Sequence, residues 1–131
     1  VKEYGDKQIE LARQNGYVST IMGRVRHIPD INSTNHTVRG FAERVAKNMP
    51  LQGSASDIIK IAMINVFKRF NQENLKSKLI IQIHDELVVD CFPGESEKVK
   101  NILKQEMENV VNLTVPLIAN ISEGKTLYDA K

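Results

Sequence analysis

From about Thr37 to Phe70, apolar residues recur at helical spacing over the longest stretch in the chain. They are Val38, Phe41, Ala42, Val45 and Met49, then Ile58, Ile59, Ala62, Met63, Val66 and Phe67. A stripe of that period buries one side of a helix, so the rest of the fold must be arranged around it. The pattern is interrupted at "NMPLQGSASD", residues 48–57. Pro50 removes a backbone donor and clashes with the carbonyl four residues earlier, and Gly53 follows. A kink or restart is therefore expected here, with Ser54 or Ser56 capping the second half.

On either side of this helix the periodicity changes. "VKEYGDKQIELARQNG" predicts an amphipathic helix with Ile9 and Leu11 inside and Gly16 as its stop. "YVSTIMGRVRHIP" alternates about Gly23 and predicts a short β-hairpin with a basic tip of Arg24, Arg26 and His27. After the long helix, "KLIIQIHDELVVDCF" predicts two strands. "PGESEKVKNILKQEMENVVN" predicts a helix opened by Pro93 or Ser96, and "TVPLIANISEG" a last strand. The order helix, hairpin, long broken helix, hairpin, helix, strand is that of an α+β fold: a small antiparallel sheet with helices packed on one face. With 131 residues, 41% of them hydrophobic, one domain with its own core is expected over residues 1–131. The chain opens on a helix without an initiator Met or an N-cap, which looks like a cut through a longer protein.

Several classes of function fall away. No stretch approaches the roughly 18 continuous apolar residues of a membrane span. One cysteine, Cys91, excludes an internal disulfide and a cysteine-based zinc site, and its place after a strand predicts a buried thiol. "DINSTNHT" fails as a calcium loop because Asn35 stands where glycine is required and Phe41 where glutamate is required. There is no glycine-rich phosphate loop, His-Glu-x-x-His or nucleophile elbow. The four Asn-x-Ser/Thr matches read as chance. A formal charge of +2 says little about partners, so any nucleic-acid argument must rest on where the charges lie.

Three features could carry chemistry. In "LIIQIHDELVVD", residues 79–90, strands meeting at Asp85-Glu86 would set Ile83 opposite Val88 and His84 opposite Leu87. Two-residue hairpins favour Gly, Asn or Asp, so Glu86 is not a choice made by turn chemistry. Carboxylates at the end of a rigid hairpin suit Mg²⁺, which takes one or two of them plus water and phosphate oxygens. A solvated acidic turn is the competing account. Second, Arg44, Asn48 and Gln52 recur every four residues and share one helix face. All are donors, and the minor groove offers acceptors at every base pair; an ordinary wet face reads the same way. Third, Arg24, Arg26, His27, Arg39, Lys47 and Lys60 could meet phosphates or merely solubilise.

Taken together, "GYVSTIMGRVRHIPDI", "AERVAKNMPLQGSASDIIKIAM" and "IQIHDELVVD" resemble the C-terminal part of the polymerase domain of family A DNA polymerases, the DNA polymerase I family. The likeness runs over nearly the whole chain, in order and at the right spacing. It implies the last part of the fingers with the later half of the palm, a DNA-directed nucleotidyltransferase using two Mg²⁺ ions. By the same resemblance Asp85 is a catalytic metal-binding carboxylate and Glu86 its auxiliary neighbour. His84 matches a histidine beside the primer terminus. Arg44, Asn48 and Gln52 match residues approaching the template-primer duplex, and Arg24, Arg26 and Arg39 are candidates for phosphate contact. Val25 interrupts a run of three basic residues common in the family, and Leu127 replaces a common tryptophan.

The resemblance also implies what is missing. The other essential aspartate and the fingers helix that grips the triphosphate lie earlier in the family, so this chain alone is expected to be inactive. Its expected partners are template-primer DNA, deoxynucleoside triphosphates in the complete enzyme, an upstream polymerase segment, and a second copy through an exposed sheet edge. No membrane partner is expected. The expected location is the cytoplasm at the bacterial nucleoid, or another DNA-containing compartment. A standalone DNA-binding or accessory module derived from a polymerase is the alternative, and a metal-dependent nuclease a more distant one.

Overall fold

A computed structural model describes residues 1–130. The elements are α1 (Lys2–Asn15), β1 (Tyr17–Ser19), β2 (Val25–His27), α2 (His36–Gln72), β3 (Lys78–Ile83), β4 (Glu86–Asp90) and α3 (Ser96–Glu108), with a 3₁₀ turn at Pro29–Asn32. The α+β class is borne out, although the strands form two separate two-stranded antiparallel sheets, β1–β2 and β3–β4. Contacts divide the chain into two compact units, Val1–Asp57 and the residues from Ile58 onward, with the boundary inside α2.

In the first unit, α1 ends as its sequence predicts. Gly16 takes the left-handed conformation (φ 77°) that closes the helix, and its N–H bonds to Ala12 O. The core joins Ile9 and Ala12 of α1, Val18 of β1, Ile28 and Ile31 around the 3₁₀ turn, and Ala42, Ala46 and Met49 of α2. Ala12, not Leu11, is the fully buried partner of Ile9, because three-residue spacing puts it on the same face. Asn35 opens α2 by accepting the Thr37 and Val38 N–H groups on its side-chain oxygen, at 3.0 and 3.3 Å.

The expected restart at Pro50 does not occur: α2 is one helix of 37 residues with the proline inside it. Neither Ser54 nor Ser56 caps a second helix. Ser54 Oγ instead donates to Pro50 O and accepts the Ile21 N–H at 2.9 Å. An interior proline costs about 3 kcal/mol. Burial of Ala46 and Met49 before it, and bonds from the β1–β2 turn to Gly53, Ser54 and Asp57 after it, hold the backbone helical against that cost.

In the second unit, Val66 and Phe70 of α2 and Val99, Ile102 and Leu103 of α3 form a core against Leu79, Leu87 and Val89 of the β3–β4 hairpin. Both helices thus lie on one face of that sheet. Phe41 and Phe67 of the apolar stripe stay out of the core, 60% and 59% exposed. Cys91 is exposed as well, one residue beyond the end of β4. The strand expected in "TVPLIANISEG" is not formed, since residues 109–124 lie in neither helix nor strand. Burial does alternate from Leu117 to Ile121, and Ile121 packs on the core. The pattern of a strand is present, but a strand exists only as a member of a ladder, and β3–β4 takes no third strand among the described residues.

Candidate functional site

The donor row lies in the first unit. Arg44, Asn48 and Gln52 are all exposed on α2, and none of the three side chains makes a hydrogen bond or ion pair with another described residue. They line an open groove with Arg24 and Arg26 of the hairpin, floored by Val45, Met49 and Gly53. Phe41 completes one wall, with the Arg44 guanidinium 5.9 Å from its ring centre. The spacing of Phe41 predicts a core position, and its exposure beside an arginine is the feature sequence reading misses. Such a surface combines amide donors, fixed cations and an aromatic face, a set suited to a nucleic-acid backbone and groove.

The β1–β2 turn is locked to α2. Thr20 N–H bonds to Arg24 O and Gly23 N–H to Thr20 O, each at 2.9 Å, with Gly23 at φ 83°. Arg24 Nε donates to Asp57 Oδ1 at 2.9 Å and Arg24 Nη2 to Gly53 O at 3.3 Å, while Arg26 is exposed on β2. The other predicted cations are used differently. Arg39 donates to Ser33 O at 3.3 Å and stands 4.0 Å from Glu43, so it does not line the groove. His27 packs edge-on to Tyr17, Lys47 lays its stem over Gly5, and Lys60 is exposed in the second unit.

The acidic hairpin lies in the second unit, and its register differs from the expected one. Ile83 pairs with Glu86, so the two-residue turn is His84-Asp85 and Glu86 is the first residue of β4. His84 has φ 52°, and Asp85 has no positive φ. Histidine and aspartate tolerate the left-handed region far better than glutamate does. Moving the turn back by one residue therefore keeps Glu86 in extended backbone. An irregularity between Leu79 and Ile81 leaves Ile80 as an extra residue. The pairs Leu79/Val89 and Gln82/Leu87 then face the helices, and Ile81/Val88 and Ile83/Glu86 face outward.

His84, Asp85 and Glu86 are all exposed, and neither carboxylate has a hydrogen-bond or ion-pair partner among the described residues. Two unengaged carboxylates fit part of a hard-cation site. Among the described residues no group of three or more His, Cys, Asp or Glu side chains could hold a metal ion, so they do not make a whole one.

The open end of that hairpin is tied down by a second feature that sequence reading misses. Glu95, immediately before α3, accepts the Lys76 N–H at 2.8 Å. It also accepts the N–H and Oγ–H of Ser77, at 3.0 and 2.7 Å. Ser77 Oγ in turn accepts the Phe92 N–H at 2.8 Å. These bonds, the Lys76 N–H foremost, hold the Glu95 carboxyl below its ordinary range. Farther along α3, Lys100 Nζ pairs with Glu123 at 2.8 Å, raising the lysine and lowering the glutamate.

Comparison with known proteins gives this geometry its context. A family model described as DNA polymerase family A matches residues 1–129. DNA polymerase I of Caldicellulosiruptor bescii is 51% identical over all 131 residues, and that of Geobacillus stearothermophilus is 47% identical over the same length. The chain spans about 15% of the length of each of these relatives. A solved structure of the POL domain of Pol1 from M. smegmatis, in complex with DNA primer-template and dNTP, matches with a TM-score of 0.97 at 40% identity. That match covers 98% of this chain and 23% of the other. No helix among the described residues is long and apolar enough to cross a membrane. With its motifs in order, its fold matched at high identity and a family model spanning all but its last two residues, this chain belongs to DNA polymerase family A.

Proposed function

We propose that the chain is the late-fingers and palm part of a DNA-directed DNA polymerase, residues 1–131 acting as one partial domain that is inactive alone. The observation that carries this reading is its likeness, at a TM-score of 0.97, to a polymerase domain whose structure holds primer-template DNA and dNTP.

In the reaction the primer 3′-hydroxyl oxygen bonds to the α-phosphorus of a deoxynucleoside triphosphate. The bond from that phosphorus to the bridging oxygen breaks, pyrophosphate leaves, and the hydroxyl proton is lost. Two Mg²⁺ ions, when bound, supply the positive charge that stabilises the attacking and leaving oxygens. Asp85 and Glu86 would hold them through oxygens that no other described side chain engages, with the remaining ligands supplied by an upstream polymerase segment. His84 presents its imidazole at the primer terminus. Asn48 and Gln52 donate to minor-groove acceptors beside Arg44, while Arg24 and Arg26 face phosphates. The working site is the bacterial nucleoid or another DNA-containing compartment.

A chimera tests the assignment: this chain replaces the matching residues of the C. bescii enzyme. Template-dependent, Mg²⁺-dependent primer extension is expected, abolished by Asp85→Ala. Asn48→Ala or Gln52→Ala should weaken primer-template binding several-fold, the loss of about one hydrogen bond of 0.5–1.5 kcal/mol. A folded chimera that extends nothing, or full activity in Asp85→Ala, refutes it.

The groove lies wholly within the first unit, which favours one second reading, a duplex-binding accessory module. Duplex binding by the chain together with an inactive chimera selects that reading. Self-association is also proposed, since among the described residues β3 and β4 each have an unpaired edge and Ile80, Ile81 and Ile83 are exposed. Light scattering that reports a monomer at high concentration removes it.

A further inference from the structure

Asp57 does not itself line the groove, yet it is a carboxylate held almost out of solvent behind it, with its side chain 11% exposed. It stands one helical turn after Gly53 and grips both ends of the β1–β2 turn. Its Oδ2 accepts the Thr20 hydroxyl at 2.6 Å and its Oδ1 the Arg24 Nε–H at 2.9 Å. Thr20 Oγ1 also accepts the Arg24 backbone N–H at 3.1 Å. A charge taken from water costs several kcal/mol unless it is paired and hydrogen-bonded, and this one is both.

The pairing geometry has a directional consequence. A guanidinium carries five N–H donors in one rigid plane. Asp57 engages the Nε–H and the Gly53 carbonyl engages one Nη2–H, which fixes that plane and leaves three donors on the edge not so held. The Arg24 side chain is still 53% exposed and lines the groove with Arg26, Asn48 and Gln52. Without the carboxylate, the turn would be held to α2 by the Ile21–Ser54 and Arg24–Gly53 bonds, with nothing to orient the Nε edge.

We propose that Asp57 is a positioning residue for duplex binding: by gripping Thr20 and Arg24 together it aims the free edge of Arg24 at a backbone phosphate beside the Asn48 and Gln52 donors. This rests on the reading of the groove as a duplex interface. It also makes a prediction whose sign opposes simple electrostatics. A carboxylate near phosphates repels them, so if Asp57 acts only through its charge, Asp57→Asn tightens binding. If it acts by positioning, the same substitution weakens binding.

The test is binding of a fluorescent synthetic primer-template duplex to the 131-residue chain, by anisotropy across a range of salt, with far-UV circular dichroism on each variant. Asp57→Asn should weaken binding on the order of 10-fold and reduce the slope of log affinity against log salt by about 0.9, one phosphate contact. Thr20→Val, which removes the hydroxyl at nearly constant volume, should shift binding the same way even if Asp57→Asn folds poorly. Thr20→Ser should restore it. In an Arg24→Gln background, Asp57→Asn should add nothing. Unchanged or tighter binding by folded Asp57→Asn, or a loss that persists undiminished without Arg24, overturns the proposal. If Asn48→Ala and Gln52→Ala weaken binding while Asp57→Asn does not, the duplex reading stands and this inference falls. No duplex binding by the unsubstituted chain overturns both.

Discussion

Gly53 sits where two preferences oppose one another, and Gly53→Ala measures which is stronger. Inside α2, alanine should stabilise the helix by about 0.8–1.0 kcal/mol over glycine. A Cβ at this position, however, would lie 2.7 Å from Thr20 Cγ2 and 3.3 Å from Arg24 Nη2. The first distance is about 1 Å short of ordinary carbon contact, and overpacking of that kind costs roughly 1–3 kcal/mol. Thr20 cannot simply turn away, because its hydroxyl is bound to Asp57 and to the Arg24 N–H, each bond worth about 1 kcal/mol. The cost therefore falls toward the upper end of its range, and the net effect is a destabilisation of about 1–2 kcal/mol. Urea unfolding followed by circular dichroism reads this directly, and the thermal midpoint should drop by roughly 4 °C per kcal/mol. The partner substitution Thr20→Ser deletes the clashing methyl and keeps the hydroxyl. In that background Gly53→Ala should turn neutral or stabilising. A gain of about 1 kcal/mol in the unsubstituted chain, or an equal cost in both backgrounds, would show that the turn does not press on the helix here.

Two further substitutions probe the second unit. Ile102→Ala, at a side chain 2% exposed in the core between α2 and α3, should cost about 2–5 kcal/mol, whereas Phe67→Ala should stay within about 0.5 kcal/mol because that ring lies outside the core. Urea midpoints separate the two outcomes, and equal losses would restore Phe67 to the core. The lowered Glu95 carboxyl contributes stability that is complete above the ordinary carboxylate range near pH 4.3 and is lost as pH falls through its lowered value. Glu95→Gln should therefore destabilise at neutral pH and flatten the acid limb of the stability profile. Parallel profiles for the two proteins would mean that the carboxylate does not hold the hairpin base.

Most elements are legible because their signals are local. Gly16 ends α1, Gly23 sets the first turn, and the helical stripe gives α2 its length. Misreadings arise where distant contacts outweigh local chemistry. Pro50 reads as a break until the turn's bonds to Gly53, Ser54 and Asp57 are known, and nothing near Pro50 in sequence announces them. The observed hairpin register lies one residue from the one expected for a two-acid tip, because backbone sterics at positive φ favour His84 over Glu86. "TVPLIANISEG" carries strand alternation without a neighbouring strand, so its pattern is readable and its structure is not. The donor row is visible as four-residue spacing. Phe41 and Asp57, which shape the groove around it, carry no signal of their own, since an aromatic at core spacing and an acid on a helix usually mean something plainer.

On the function proposed here, the chain holds part of a polymerase active centre and needs the rest from an upstream segment. Primer extension measures it most directly, with the 131-residue chain supplied alone and then mixed with a C. bescii DNA polymerase I lacking the matching residues. No synthesis is expected from either part alone and template-dependent synthesis from the mixture, lost when Asp85 is replaced by alanine. Template-dependent synthesis by the 131 residues alone would contradict it.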